Sequence, residues 1–167
     1  MHGPKGSFAK KSEYSRQLRE KQKLKRLFGV TERQMVNYFK KASGQKDITG
    51  NAMLKLLESR LDNVIYRGGF AKSRPQARQM VNHGLFKINN IRMNIPSFHT
   101  KPGDAFEVIT RVKKSNLFNA IENQKFGPAK WLKVDYKNLS GLVARELELT
   151  DLEQAIQTNL VVEYYSK

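Results

Sequence analysis

Between Ser73 and Ile95 the spacing of apolar residues changes from a helical to a strand period, and each segment carries its own start and stop signals. In "SRPQARQMVNHG", residues 73–84, Ser73 is a good N-cap and Gln76 stands three residues on, where a capping box needs it. Pro75 falls in the first turn, where its missing N–H costs little, and Gly84 stops the helix. The stretches "FKI" and "IRMNI" then alternate apolar and polar residues about an Asn89-Asn90 turn. "KPGD" puts Pro102 and Gly103 at the centre of a second turn before "AFEVIT". Upstream, Met53, Leu54, Leu57, Leu61, Val64 and Ile65 recur at three- and four-residue steps, which predicts one continuous helix ending at Gly68. The expected unit is therefore two helices followed by a small antiparallel sheet.

The flanks read as helical. Residues through about Lys11 are rich in Gly, Pro and Lys and poor in apolar side chains, which predicts an extended arm that orders only on a partner. "SEYSRQLREKQKLKRLFGV" is a basic amphipathic helix ended by Gly29. "TERQMVNYFKKAS" opens on a capping box, Thr31 with Gln34, and turns Met35, Tyr38, Phe39 and Ala42 to one side. "GQKDITGN" is a loop. Beyond the sheet, "KKSNLFNAIENQK" predicts a short helix and residues 128–135 a connection carrying Trp131. "DLEQAIQTN" predicts a last helix with Asp151 and Gln154 as a third capping box, and "LVVEYY" is apolar enough to pack back on the first helices. Composition shifts near residues 58 and 127 divide the chain into 1–57, 58–127 and 128–167. The fold class is α+β: a helical N-terminal region completed by the C-terminal segment, with the middle domain inserted.

The short helix over 73–84 has only Ala77, Met80 and Val81 as an inward side, and spends the rest on cations and amides. The chain as a whole carries 31 Lys and Arg against 15 Asp and Glu, a net charge of +16, while 39% of it is apolar. That is a folded protein with a strongly positive surface, and such a surface seeks polyanions. Residues 1–48 hold 13 Lys and Arg against 4 acids, and residues 49–127 hold 13 against 5, so the excess lies before residue 128.

A capped helix start offers free N–H groups and a partial positive charge to phosphate. Lys72, Ser73 and Arg74 sit at that start, and Arg78 lies one turn on from Arg74. Gln79, Asn82 and His83 can add hydrogen bonds to sugars or bases, and Arg60 and Arg67 on the preceding helix could widen the patch. Bland roles compete with these. His83 before Gly84 is as good a helper at the helix C-terminus as an RNA contact, and Asp62 amid cations reads as the structural partner of an Arg. Tyr38, Phe39, Phe86 and Phe106 read as core, with Phe70 left open. With no Cys, and with His2 and His99 lacking ligand-spaced companions, no metal or cofactor is called for. "MHGPKGSFAKK" lacks a signal peptide's apolar region, and no run approaches the ~18 apolar residues of a membrane span, so the expected location is the cytoplasm.

At this point a family resemblance appears in the residues. "SRLDNVIYRGGFAKSRPQARQMVNHGLFKINN" with "NIPSFHTKPGDAFEV" closely resembles the RNA-binding domain named after ribosomal protein S-four. "YSRQLREKQKLKRLFGVTERQ" and "NLVVEYYSK" resemble that ribosomal family outside the shared domain. The resemblance implies a non-enzymatic component of the small ribosomal subunit. Such a protein binds a helix junction in the 5′ domain of its RNA, early in assembly, and influences decoding accuracy. It further implies contacts from Arg60, Arg67, Lys72, Ser73, Arg74, Arg78, His83 and Lys87 in the middle domain, and from Arg16, Arg19, Lys21, Lys23, Lys25, Arg26 and Arg33 before it. Proteins S-five and S-three of the same subunit are the implied neighbours, with Lys5, Lys10 and Lys11 the candidates near incoming messenger RNA. The family usually continues further at its N-terminus, and usually has Gly where this hairpin has Asn90. Asn tolerates the left-handed conformation best among residues with a side chain. Two other classes use the same domain: pseudouridine synthases, which need a catalytic domain for which the 40 residues after residue 127 are too few, and stress factors of the large subunit, which leave the N-terminal helices unexplained.

Overall fold

The computed structural model describes residues 5–119, 121 and 127–167, and these divide into two compact units, one reaching to Leu56 and including Glu153–Lys167, the other within Leu57–Leu152. In the first unit α1 (Lys5–Phe28), α2 (Glu32–Ser43) and most of α3 (Thr49–Glu58) are closed by the last helix, α6 (Thr158–Tyr165). The Thr31 capping box forms in full, with the Thr31 side chain on the Gln34 N–H and the Gln34 side chain on the Thr31 N–H. Met35, Tyr38 and Ala42 of α2 are buried, and Phe39 is half-buried with its ring stacked on Tyr165 at 5.4 Å between centroids.

Polar contacts pin α6 to α1. Gln17 Nε2 donates to Glu163 at 3.1 Å, and the Gln157 N–H donates to Glu20 at 2.8 Å. Lys21 is only 4% exposed and donates to Glu32 Oε2 at 2.9 Å while its ammonium lies 4.7 Å from the Tyr164 ring. Tyr165 donates to the other Glu32 oxygen at 2.8 Å. Burial works against a charge on Glu32, but hydrogen bonds from Lys21 and Tyr165 and the nearby Lys25 outweigh it and hold the carboxyl below its ordinary value.

A folded-state value below the unfolded one stabilises the protein above the ordinary Glu range, about 4.3, and that stabilisation disappears as pH falls through the folded value. The urea midpoint of the wild type is therefore expected to drop more on acidification from about pH 6 to about pH 3 than that of Glu32→Gln. Parallel drops would show that this carboxylate contributes nothing to acid sensitivity.

The second unit stacks α4 (Leu61–Arg67) and α5 (Arg74–Asn82) on a five-stranded antiparallel sheet. Its strands are β1 (Phe86–Ile88), β2 (Ile91–Met93), β3 (Ala105–Val108), β4 (Leu132–Asp135) and β5 (Ser140–Val143), in the order β2-β1-β3-β5-β4. Asn89 and Asn90 both take positive φ, 50° and 69°, the left-handed pair that a two-residue hairpin turn requires. One core unites Leu61, Val64 and Ile65 of α4, Ala77, Met80 and Val81 of α5, and Phe86, Phe106, Trp131 and Val143 of the sheet side. Phe70 belongs to this core and meets Phe86 and Phe106 edge-on, at 6.1 and 5.6 Å between centroids. Gly141 lies opposite Phe106 in the β3–β5 register, and a Cβ there would come within 2.7 Å of the Phe106 ring.

Several expected elements are corrected. The helix α1 begins at Lys5 where an extended arm was expected to Lys11; Ala9, Lys10 and Lys11 are good helix formers and extend a helix already nucleated downstream. The single helix expected from Met53 to Gly68 is two, α3 and α4, separated at Ser59 and Arg60. There the backbone turns outward to pair: Arg60 bridges His99, the Thr100 N–H donates to Ser59 O at 2.8 Å, and the Leu61 N–H donates to Phe98 O at 2.8 Å. A 3₁₀ turn, Thr110–Val112, precedes "KKSNLFNAIENQK"; within that segment the described residues make a second 3₁₀ turn, Asn116–Phe118, and residues 120 and 122–125 of the expected helix lie outside the described residues. The connection at 128–135 contains β4, and with β5 it extends the sheet, so the expected limit at 127 moves to Leu152. The last helix starts at Thr158, not Asp151; the box there joins Glu148 and Asp151 on a 3₁₀ turn, Leu149–Asp151.

Candidate nucleic-acid interface

The helix α5 starts as its sequence requires. The Ser73 side chain accepts from the Gln76 N–H at 3.2 Å, but Gln76 Oε1 accepts from the Lys72 N–H at 2.6 Å instead of completing the box on Ser73. Ala77, Met80 and Val81 face the core, and Lys72, Ser73, Gln79, Asn82 and His83 are exposed, with Arg78 half-buried. Most of the polar positions thus share one outward side of a helix, which answers why so few are apolar. Lys87 is half-buried on β1, directly across from Arg92 on β2 and Glu107 on β3.

Beneath α5 lies a network that positions two of the candidate cations. Glu58 is fully buried and receives Arg67 through Nη2 at 2.7 Å and Nε at 3.2 Å. The same carboxylate accepts Asn63 Nδ2 at 2.7 Å, and Asn63 Oδ1 in turn accepts Arg74 Nε at 2.9 Å. The Arg74 guanidinium lies 4.7 Å from the Tyr66 ring centroid. Arg67 and Arg74 are therefore held in fixed directions by a buried acid, at the edge of the outward face of α5.

Arg60 is corrected. Its side chain is fully buried and doubly hydrogen-bonded to Asp62, by Nε at 3.1 Å and Nη2 at 2.9 Å, so it cannot reach a polyanion. Its periodic position reads as a helix surface, but the break between α3 and α4 turns it inward. Asp62 is thereby the structural partner of an Arg. Lys21 is corrected for the same reason, being buried against Glu32 and Tyr164.

In α1, Arg16, Arg19, Lys23 and Arg26 are exposed at steps of three, four and three, a single cationic stripe along one side of the helix. Arg16 pairs with Glu13 at 3.2 Å, Arg19 donates to Ser15 O at 3.4 Å, and Lys23 donates to Ala155 O at 2.7 Å. Lys25 is half-buried, 3.7 Å from Glu32, and Arg33 is exposed on α2. The side chains of Lys5, Lys10 and Lys11 lie outside the described residues.

Sequence reasoning missed Arg92. Its Nε donates to Gly84 O at 2.8 Å and its Nη2 to His83 O at 3.4 Å, so it closes the C-terminal turn of α5. His83 is the C-cap through its own N–H, and its ring stays exposed. With Asn82, His83, Gly84 and Asn94, Arg92 lines an open groove of about 370 Å³. The signal was present in "IRM", where Arg92 is the polar residue of an alternating strand.

Two family models match successive parts of the chain. Residues 59–106 match the S4 domain, and residues 1–58 match the ribosomal protein S4/S9 N-terminal domain. The small ribosomal subunit protein uS4 of Thermodesulfovibrio yellowstonii is 47% identical over 161 residues, covering 95% of this chain and 77% of that protein. The protein of the same name from Natranaerobius thermophilus is 44% identical over 171 residues, all of this chain and 80% of its own length. The one from Mesomycoplasma hyopneumoniae is 44% identical over 172 residues, again all of this chain and 82% of the relative.

Proposed function

The chain belongs to the small ribosomal subunit protein uS4 family, and we propose that it serves in that subunit as a structural protein binding ribosomal RNA. The observation that carries this reading is that the likeness runs through both units, 95% or more of the chain, and not only through a domain that other RNA-binding proteins share. The physical mechanism is charge neutralisation combined with recognition of folded RNA by shape. Lys72, Arg74, Arg78 and the start of α5 take phosphates, the α1 stripe of Arg16, Arg19, Lys23 and Arg26 takes more, and each face selects RNA whose backbone matches it. The role is non-enzymatic.

The finer reading is that the RNA target is a helix junction in the 5′ domain, bound early enough to nucleate its assembly. In the finished subunit the protein would adjoin proteins S-five and S-three, affect decoding accuracy, and present Lys5, Lys10 and Lys11 toward incoming messenger RNA. A pseudouridine synthase or a large-subunit stress factor is not favoured, because neither accounts for relatives matched across both units.

An affinity-tagged chain made in a bacterium and sedimented from a cell extract is expected to travel with small subunits at stoichiometric amounts. Migration with free large subunits, or pseudouridine formed on ribosomal RNA fragments by the purified chain, would overturn the reading.

A further inference from the structure

We propose that the groove between the last turn of α5 and β2 is a subsite for one unpaired nucleotide, whose base stacks on Arg92 and is read by Asn82 and Asn94. The proposal rests on the RNA-binding reading above and adds to it a second mode of contact, separate from the phosphate-binding start of the same helix.

Three observations carry it. Arg92 uses one edge of its guanidinium on the main chain, Nε on Gly84 O at 2.8 Å and Nη2 on His83 O at 3.4 Å. A Cβ at Gly84 would lie 2.8 Å from Nε, 2.9 Å from Nη2 and 3.1 Å from Cζ, so the guanidinium sits tightly against the turn whose carbonyls its Nε/Nη2 edge bonds. An edge-held guanidinium is a rigid stacking surface, the arrangement that RNA-binding proteins use for splayed bases. Gly84, at φ 69°, is also the residue that lets this plane come so close, since any side chain there would displace it.

The second observation is the chemistry of the lining. Asn82 and Asn94 are exposed amides, each offering a donor and an acceptor, and His83 adds an exposed ring. Paired donors and acceptors match the edge of a base, whereas a phosphate uses acceptors only and leaves the amide oxygens unmatched. The third is position. The groove lies at the carbonyl end of α5, where the helix dipole disfavours an anion, while the opposite end with Lys72 and Ser73 favours one. At about 370 Å³ the groove is at the small end of ligand sites, suited to a single nucleotide and too small for a duplex.

The experiment is a titration of the ¹⁵N-labelled full chain with the four nucleoside monophosphates in turn, and with inorganic phosphate alone, read on the Arg92 Nε–H and the Asn82 and Asn94 side-chain amides. Saturable shifts with at least one monophosphate and none with phosphate are expected. Asn94→Ala, which leaves the Arg92 contacts to the main chain in place, is expected to weaken those shifts. Arg92→Ala is expected to lower affinity for a 5′-domain RNA fragment about 5- to 100-fold, the range of one lost base stack, with an unchanged dependence on salt. Equal shifts with phosphate alone, or a shallower salt dependence in Arg92→Ala, would make the groove an anion site and overturn the proposal. Absence of any monophosphate shift in a chain that still binds the RNA fragment tightly would overturn the subsite and leave the RNA-binding reading intact. Loss of RNA binding by the wild-type chain would instead remove that reading.

Discussion

Replacing Asp62 with Ala is expected to destabilise the Leu57–Leu152 unit by about 3–5 kcal/mol. Asp62 is 3% exposed and is the carboxylate on which the fully buried Arg60 places Nε at 3.1 Å and Nη2 at 2.9 Å. It also accepts the Asn63 N–H at 2.7 Å, at the first turn of α4, where a carboxylate favours the helix dipole. An always-charged guanidinium left in that buried site loses the carboxylate that both Nε and Nη2 bond, and its desolvation is far less well offset. The cost arises from the orphaned partner, so the double variant Arg60→Met with Asp62→Leu is expected to recover most of the loss. Urea unfolding followed by circular dichroism measures both. A loss under about 1 kcal/mol for Asp62→Ala would mean that water reaches Arg60, and that the break between α3 and α4 is not closed by this pair.

That break marks the limit of what the sequence makes legible. Helix starts and stops near Thr31, Ser73, Gly68 and Gly84 depend on neighbours within four residues, and they fall where the local chemistry puts them. The Asn89-Asn90 hairpin is equally local. Ser59 and Arg60 are different, because their backbone follows a helical pattern of apolar residues until Thr100 and Phe98, some forty positions on, draw its hydrogen bonds away. The strands over 132–135 and 140–143 share this character. "LKVD" and "SGLV" are short and unremarkable alone, and become strands because β5 finds β3 across the Phe106–Gly141 register. Gly141 is needed there for space under a ring, a demand visible only in the pair.

The inward side of α5 is legible in the sequence, whereas the burial of Arg60 and Lys21 is not. Ala77, Met80 and Val81 define the inward side of α5, which leaves Lys72 exposed just before the helix and Arg78 half-buried on it. Arg60 and Lys21 were counted as surface because charge ordinarily lies outside, yet each is paired with a specific acid that burial makes obligatory. Arg74 is intermediate: a buried acid, Glu58, fixes its direction through Asn63, which limits its rearrangement toward RNA. Lys72 and Arg78 are accordingly the better pair for testing the outward face than Arg74 and Arg78.

If this face of α5 neutralises RNA phosphates, filter binding to a 5′-domain fragment of small-subunit ribosomal RNA across a salt series will register each charge removed from it. Each phosphate contact contributes about 0.7–0.9 to the log–log salt slope. Lys72→Ala with Arg78→Ala is therefore expected to make the slope shallower by about 1.4–1.8, and to weaken binding about 20- to 60-fold near 0.1 M salt. Lys130→Ala with Lys133→Ala removes the same charge from exposed positions before and on β4, and is expected to change affinity by less than about threefold. A shallower slope and a large loss confined to the α5 pair would establish the face as the interface. Equal losses from the two pairs would mean that the RNA responds to net charge alone, and would contradict the claim.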